Sequence, residues 1–292
     1  MYTQHFSLLL CPICHTQFPQ SDGALTCGNK HSFDLAKEGY VNLLQKKFPG
    51  DTKEMLLARR NFFARGHYAP LSVALNTMLS THLQDRSEPI TLFDAGCGEG
   101  YYLQHLQTFL AERQILTTGI GLDSSKEAVR MAARQSKEAF FVVANLKEQL
   151  PFVDGAFTGI INIFAPRNLA EFARILIPSG LLCVIIPAPT HLQTLRTVLP
   201  LLQIEEHKQQ HVIDQCTDQG YFRLEASSNI SYELSLQQEE IAELVTMTPN
   251  YWHLTPEIRQ AIQDLKELRT EVACVCLLFR RGEQKAGQIA QP

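Results

Sequence analysis

The chain has 292 residues, eight cysteines, 45% apolar and 19% charged side chains, and a formal net charge of −4. No apolar run approaches the ~18 residues that span a bilayer. Leu8–Leu10 is too short for a signal h-region and has no lysine or arginine before it, so a cytoplasmic protein without a membrane partner is expected.

The first element, residues 1–34, is punctuated by cysteines. Cys11, Cys14, Cys27 and His31 follow the spacing C-x2-C-x12-C-x3-H. Two cysteines three apart at a tight turn can direct both sulfurs to one point, and a second knuckle of Cys and His closes a tetrahedron around structural zinc. Some 35 residues cannot bury enough apolar surface to fold alone, and metal binding supplies what the core lacks, roughly 10 kcal/mol or more in zinc-finger peptides. Four protein ligands leave no open position, so the metal is not catalytic. His15 could stand in for His31 but is awkward, since it directly follows Cys14. Cys97, Cys183, Cys274 and Cys276 fit core thiols of a reducing compartment, and Cys216 has no reading from the sequence.

Residues 35–88 carry apolar side chains at helical spacing (Met55, Leu56, Ala58, Phe62 and Phe63, then Leu71, Ala74, Leu75, Met78 and Leu79), with breaks at Pro49-Gly50 and Gly66. This segment is read as a helical linker, with Pro70 in the first turn of its second helix. Residues 1–67 hold eight Lys/Arg and five Asp/Glu, a net of +3, which leaves −7 for the remainder. Such asymmetry suggests a phosphate-binding face, with Lys46-Lys47 and Arg59-Arg60 as paired charges.

From residue 89 strands and helices alternate. The pattern predicts strands over Ile90–Ala95, Thr118–Leu122, Ala139–Ala144, Gly159–Phe164 and Leu181–Pro187, with helices Tyr101–Arg113, Lys126–Gln135, Leu169–Leu176 and His191–Leu199 between or after them. Ser124-Ser125 caps the second helix. After a polar stretch come a strand over Tyr221–Ser235, helices Glu239–Val245 and Pro256–Leu268, and a closing strand Glu271–Phe279. The alternation implies a mainly parallel sheet covered on both faces, with an antiparallel edge. Residues 89–282 form this domain, and the polar residues 283–292 are read as a disordered tail.

The loop after the first of these strands is the most informative stretch. Leu92 to Gly100 reads LFDAGCGEG, an apolar strand ending in an acid and then three glycines in five residues. Such a loop lets the backbone turn sharply and approach a ligand closely. Asp123 closes the second strand, where a carboxylate can accept hydrogen bonds from ribose hydroxyls. The pyrophosphate fingerprint GxGxxG is absent, so the loop suits a ligand made of an amino acid and a nucleoside. It resembles motif one of the S-adenosylmethionine-dependent methyltransferases, which implicates Asp94, Gly96, Gly98 and Asp123 in cofactor binding.

The runs HSFDLAKEGYVNLL (from His31), PGD (from Pro49), ARRNFFARGHYAPL (from Ala58), DAGCGEGYY (from Asp94), LPF (from Leu150), IFAP (from Ile163), PTHLQTL (from Pro189) and MTP (from Met247) together span nearly the whole chain. They resemble the bacterial large-subunit ribosomal RNA guanine-N1-methyltransferases. The resemblance implies a Rossmann-like class I methyltransferase of α/β class, with a mainly parallel seven-stranded sheet, preceded by a small zinc-binding RNA-recognition domain and the helical linker. It implies a homodimer, a guanine in a hairpin loop of 23S rRNA as target, and no DNA partner. Zinc ligands match Cys11, Cys14, Cys27 and His31; cofactor contacts match Tyr68, Gly98, Glu99 and His191. The chain departs from the family pattern at Ile177–Gly180, where a double glycine is usual, and at Asn145–Lys147, where a serine-rich turn is usual.

Guanine N1 must lose a proton on methylation, which calls for a general base or for hydrogen bonds that stabilise the deprotonated form. His191, Glu99 and His67 are candidates for the base, and none is singled out. A loop guanine can stack on aromatic side chains, and Tyr101, Tyr102, Phe164, Tyr251 and Trp252 are available, with Phe164 read as core. The competing reading is a small-molecule methyltransferase with an accessory zinc finger, which would have no need of a basic finger and linker.

Overall fold

Alternate residues of the central strands fall into two buried clusters, and this division organises the molecule. The computed structural model describes residues 3–19, 23–46, 50–84, 86 and 89–282. The N-terminal segment holds α1 (Thr3–Phe6) and the antiparallel pair β1 (Ala24–Thr26) and β2 (Ser32–Asp34). Next come β3 (Tyr40–Asn42), α2 (Lys53–Ala64) and α3 (Ala69–Leu83). The remaining order is β4 (Ile90–Ala95), α4 (Tyr101–Ala111), β5 (Thr117–Asp123), α5 (Lys126–Gln135), β6 (Ala139–Val143), β7 (Phe157–Ile163), α6 (Leu169–Ile175) and β8 (Leu176–Pro187). The chain closes with α7 (Gln193–Val198), α8 (Lys208–Thr217), β9 (Phe222–Gln237), α9 (Gln238–Thr246), α10 (Pro256–Asp264) and β10 (Glu267–Arg281).

Local chemistry starts the helices where the sequence suggests. Thr52 accepts a hydrogen bond from the Met55 amide and Ser125 accepts one from the Ala128 amide, each satisfying an orphan donor of the first turn. Pro70 sits in the first turn of α3, where its missing N–H costs nothing.

The main sheet runs β3-β6-β5-β4-β7-β8-β10-β9. β10 pairs antiparallel with both β8 and β9, which gives the expected antiparallel edge. The other neighbours are parallel. The expected seven strands become eight. Tyr40–Asn42, inside the segment read as a helical linker, adds a parallel edge strand on β6, and Leu43 extends it by donating to the Val143 carbonyl at 2.9 Å. Three residues are too few for periodicity to register. Two further differences lie near the C-terminus. The polar stretch contains α8, whose buried residues are only Val212 and Cys216. The helix expected to reach Leu268 ends at Asp264, because Leu268 pairs with Leu236 in the sheet. The tail assigned to residues 283–292 lies outside the described residues.

Ala139, Phe141 and Val143 face one cluster with α3, α4 and α5, whereas Phe140 and Val142 face the other. That second cluster also contains Phe6, Leu9, Phe18 and Leu25. The cysteine-bearing segment therefore completes the core on one face of the sheet. Backbone bonds reinforce the junction: Leu10 donates to the Pro151 carbonyl at 2.9 Å and Val153 donates to the Leu8 carbonyl at 3.0 Å.

Candidate active site and metal centre

The loops beyond the C-terminal ends of β4, β5, β7 and β8 surround a cleft of about 880 Å³. A crevice at this end of a parallel sheet is where open α/β folds bind ligands. The seven residues that the sequence assigns to the cofactor, namely Tyr68, Asp94, Gly96, Gly98, Glu99, Asp123 and His191, all line it.

The glycine loop is held against the tip of β5. The amides of Gly96 and Cys97 both donate to the Leu122 carbonyl, at 2.9 and 3.0 Å. Gly96 has φ +90, and a Cβ there would sit 2.5 Å from the Ala165 Cβ, so glycine lets this loop close on the loop that follows β7. Asp123 accepts from the Gly98 amide at 3.0 Å and from the Ser125 amide at 2.8 Å. These bonds fix the carboxylate at the strand tip.

Four carboxylates converge beside this loop, with Arg59 of α2 among them. Arg59 pairs with Asp51 at 2.5 Å, lies 3.8 Å from Glu99 and donates to the Met247 carbonyl at 3.1 Å. Both Glu99 carboxylate oxygens and Asp94 Oδ2 are buried without a hydrogen-bond partner. Burial pushes the pKa of Asp94 well above its ordinary value, and the nearby Asp123 and Glu99 charges push it further. Burial likewise raises Glu99 against the opposing pull of Arg59. Buried acceptors without donors suit a ligand that brings donors and positive charge, and a sulfonium cofactor with an ammonium and ribose hydroxyls does so. Arg59 thus faces inward, which corrects the reading of Arg59-Arg60 as a pair for phosphate. A count of charges along a sequence cannot see this ion pair. Lys47, of the Lys46-Lys47 pair, lies outside the described residues.

His191 is buried, and its Nδ1 accepts from the Ala273 amide at 3.2 Å. Burial and the neighbouring Arg196 bring its pKa down to about 4. The ring is therefore neutral, with its proton on Nε2. His67 is not in the cleft; it sits 2.9 Å from Glu240 and leaves the set of base candidates.

Among the five aromatic candidates, Tyr102 is buried, Tyr101 packs on Phe63 with centroids 4.5 Å apart, and Tyr251 donates to Glu54 at 2.8 Å. Trp252 is 59% exposed on the rim of the cleft. Phe164 is 45% exposed, which corrects its assignment to the core. Its backbone has φ +52, a region where a bulky residue is an outlier, and this turn delivers the ring into the cleft instead of the sheet core. The centroid of His191 lies 6.1 Å away and that of Tyr68 6.4 Å away. The sequence reading missed Asn162, fully buried, which donates to the carbonyls of Ala95 and Pro166 at 3.0 Å each. It ties the Phe164 loop to the end of β4. A polar residue in the apolar run of β7 was its only signal.

Across the molecule, Cys11, Cys14, Cys27 and His31 bring their ligand atoms within 4.8 Å of one another. Cys14 Sγ lies 3.6 Å from Cys27 Sγ, and His31 Nδ1 lies 3.5 Å from both Cys11 Sγ and Cys27 Sγ. Tetrahedral zinc with Zn–S near 2.3 Å has ligand–ligand edges of about 3.8 Å, so the residues fit the ion. The knuckle amides hold the frame: His15 donates to the Cys11 carbonyl and Lys30 to the Cys27 carbonyl, both at 2.9 Å. Hydrogen bonding from Thr16 brings the Cys14 thiol down to about 5, readying it as a thiolate ligand. His15 itself turns through φ +56 and is not part of the cluster.

Residues 9–48 match the zinc-ribbon model described as "RlmA, N-terminal", and residues 93–184 match a methyltransferase domain. The 23S rRNA (guanine(748)-N(1))-methyltransferase of Streptomyces fradiae is 36% identical over 260 residues, which cover 88% of this chain and 90% of that protein. A Micromonospora griseorubida protein, named as a candidate 23S rRNA (guanine-N(1)-)-methyltransferase, is 37% identical over 287 residues, covering 92% and 95%. Among solved structures, the YcgJ protein of Bacillus subtilis aligns with a TM-score of 0.47 and 17% identity, over 71% of this chain and 98% of that one. With a zinc ribbon completing the core of a motif-one methyltransferase domain, and with relatives this similar along almost their whole length, the chain belongs to the family of 23S rRNA (guanine-N1)-methyltransferases.

Proposed function

We propose that this protein transfers the methyl group of S-adenosylmethionine to N1 of a guanine in a hairpin loop of 23S rRNA, as a cytoplasmic homodimer. The observation that carries this reading is the cleft itself, with buried carboxylate oxygens that lack hydrogen-bond donors on one side and the exposed ring of Phe164 on the other. When bound, S-adenosylmethionine supplies an electrophilic methyl group. Tyr68, Asp94, Gly96, Gly98, Glu99, Asp123 and His191 would hold it. The Asp123 carboxylate keeps acceptor capacity beyond its two amide bonds, enough for ribose hydroxyls. The protein's main task is to hold the nucleophilic nitrogen in line with the methyl group.

The target base stacks on Phe164, whose loop Asn162 fixes to the end of the motif-one strand. His191 acts as a donor through Nε2–H and not as the base, because its Nδ1 is engaged. The homodimer rests on the family resemblance. The cytoplasmic assignment is supported by cysteines that are zinc ligands or core thiols and form no disulfide.

Incubation with methyl-labelled S-adenosylmethionine and deproteinised 23S rRNA, followed by nucleoside analysis, tests the reading. Label in 1-methylguanosine is the expected result. Label in another nucleoside, or in none, would overturn it, and absence of RNA label altogether would favour a small-molecule substrate. Light scattering tests the dimer.

A further inference from the structure

Carboxylates and cations are unevenly placed along the strand order of the cleft, although Arg59 stands among the carboxylates and Lys147 on the loop after β6. Beyond β4 and β5 stand Asp94, Glu99 and Asp123. Beyond β7 and β8 it is lined instead by Arg167, Arg196 and Lys208, and among the described residues no carboxylate lies within 4.0 Å of any of the three. Arg196 is used within the fold: it donates to the carbonyls of His191 and Pro189 and to the Gln203 side chain. Arg167 and Lys208 are not used in this way. Arg167 reaches only the Ala165 carbonyl, at 3.5 Å, and its Nε is buried without a partner. The acid that acts on Lys208 is Glu205, which is exposed. Burial lowers the pKa of both cations, and the Arg167 charge lowers Lys208 further. Lys208 is also the first residue of the ten-residue helix α8, whose N-terminus has no side-chain cap. Two half-buried cations side by side near uncapped amides favour the approach of an anion.

We propose that Arg167 and Lys208 form a subsite for one backbone phosphate of the RNA, next to the nucleotide whose base stacks on Phe164. This inference rests on the reading of RNA as substrate. Arg167 lies three residues beyond Phe164 on the loop after β7, so the phosphate is held beside the stacked base. The guanidinium fork grips two phosphate oxygens while the ammonium and the amides of α8 supply further donors. The cofactor carries net positive charge and is drawn to the acidic side, which leaves the basic side to the polyanion. The phosphate holds the nucleotide in place, and sequence is read elsewhere.

The test uses the full, zinc-loaded chain and the variants Arg167→Gln, Lys208→Gln, the double variant and Arg167→Lys. Binding to deproteinised 23S rRNA is measured over a range of salt concentrations, cofactor affinity by calorimetry, and methylation by yield of 1-methylguanosine. The double variant is expected to flatten the slope of log affinity against log salt by about 0.7, the share of one single-strand phosphate. KM for RNA should rise about tenfold with kcat changed far less, cofactor affinity should hold, and Arg167→Lys should retain the wild-type slope. An unchanged slope in the double variant would overturn the subsite. A fall in cofactor affinity with an unchanged slope would overturn it too, and would assign the pair to the cofactor carboxylate. RNA binding with the expected slope change but without 1-methylguanosine would leave the subsite standing and remove the proposed reaction.

Discussion

The zinc ribbon and the cleft both gather ionisable side chains away from water, but they are built to different logics. In the ribbon, three cysteines and one histidine from two short turns face a single point, and one dication satisfies all four. In the cleft, carboxylates from the ends of β4 and β5 and from the approach to α2 surround Arg59, which pairs with Asp51 but leaves Asp94 Oδ2 and both Glu99 oxygens without a hydrogen-bond donor, and the strands that carry them are already paired. The ribbon has almost no secondary structure of its own to fall back on; the cleft is borne by an eight-stranded sheet. The difference teaches that one site is made by its ligand and the other waits for it.

The comparison breaks most sharply at Cys11. Cys11→Ala should lose about one equivalent of zinc and unfold the ribbon, since structural zinc contributes on the order of 10 kcal/mol at such sites. Metal analysis with hydrogen exchange checks this, and cofactor binding should survive at least in part. A zinc-free, fully folded and fully active variant would contradict it. Gly96→Ala should come next. The added methyl meets Ala165 at 2.5 Å on a backbone at φ +90, so urea unfolding should show a loss of about 2–3 kcal/mol and calorimetry a loss of cofactor affinity.

His191 gives a test through pH. Its folded pKa of about 4 lies below the ordinary value of 6.5, so the unfolded chain binds the extra proton first as pH falls. Its contribution is fully present above pH 6.5 and is lost as pH drops from there through about 4, amounting to about 3 kcal/mol in full. His191→Asn should flatten the pH dependence of unfolding in that window; an unchanged slope would show that the ring is not held neutral. The smallest effect is expected at the stacking ring. Base–aromatic stacking is worth about 1–3 kcal/mol per base, so Phe164→Leu should lower kcat/KM for RNA roughly 10- to 100-fold while cofactor affinity stays level.

How well each site could be read from the sequence follows from the same contrast. The zinc ligands span Cys11 to His31, and their spacing alone sets the geometry. The glycine loop and Asp123 were readable because motif one is a local strand–turn pattern. Phe164 was not. It ends an apolar run that suits a buried strand, and only its left-handed backbone turns the ring outward. Arg59 looked like half of a basic pair because its partners, Asp51 and Glu99, lie 8 and 40 positions away in the chain. β3 was too short to show periodicity, and α8 buries just two residues. The strand order itself depends on long-range pairing and could be read only as a class.

The bonds between Leu8–Leu10 and Pro151–Val153 bear on the order of events during synthesis. The ribbon leaves the ribosome before the sheet, yet Phe6 packs edge-on against Phe140 and Leu9 bridges to Phe152, both translated more than a hundred residues later. Until then the nascent ribbon carries an uncovered apolar face, and zinc adds to the short β1–β2 pair and the knuckle hydrogen bonds that it makes from its own residues. Metal loading can therefore precede docking. The ribbon, made before the sheet, is then among the last parts to be sealed into the core.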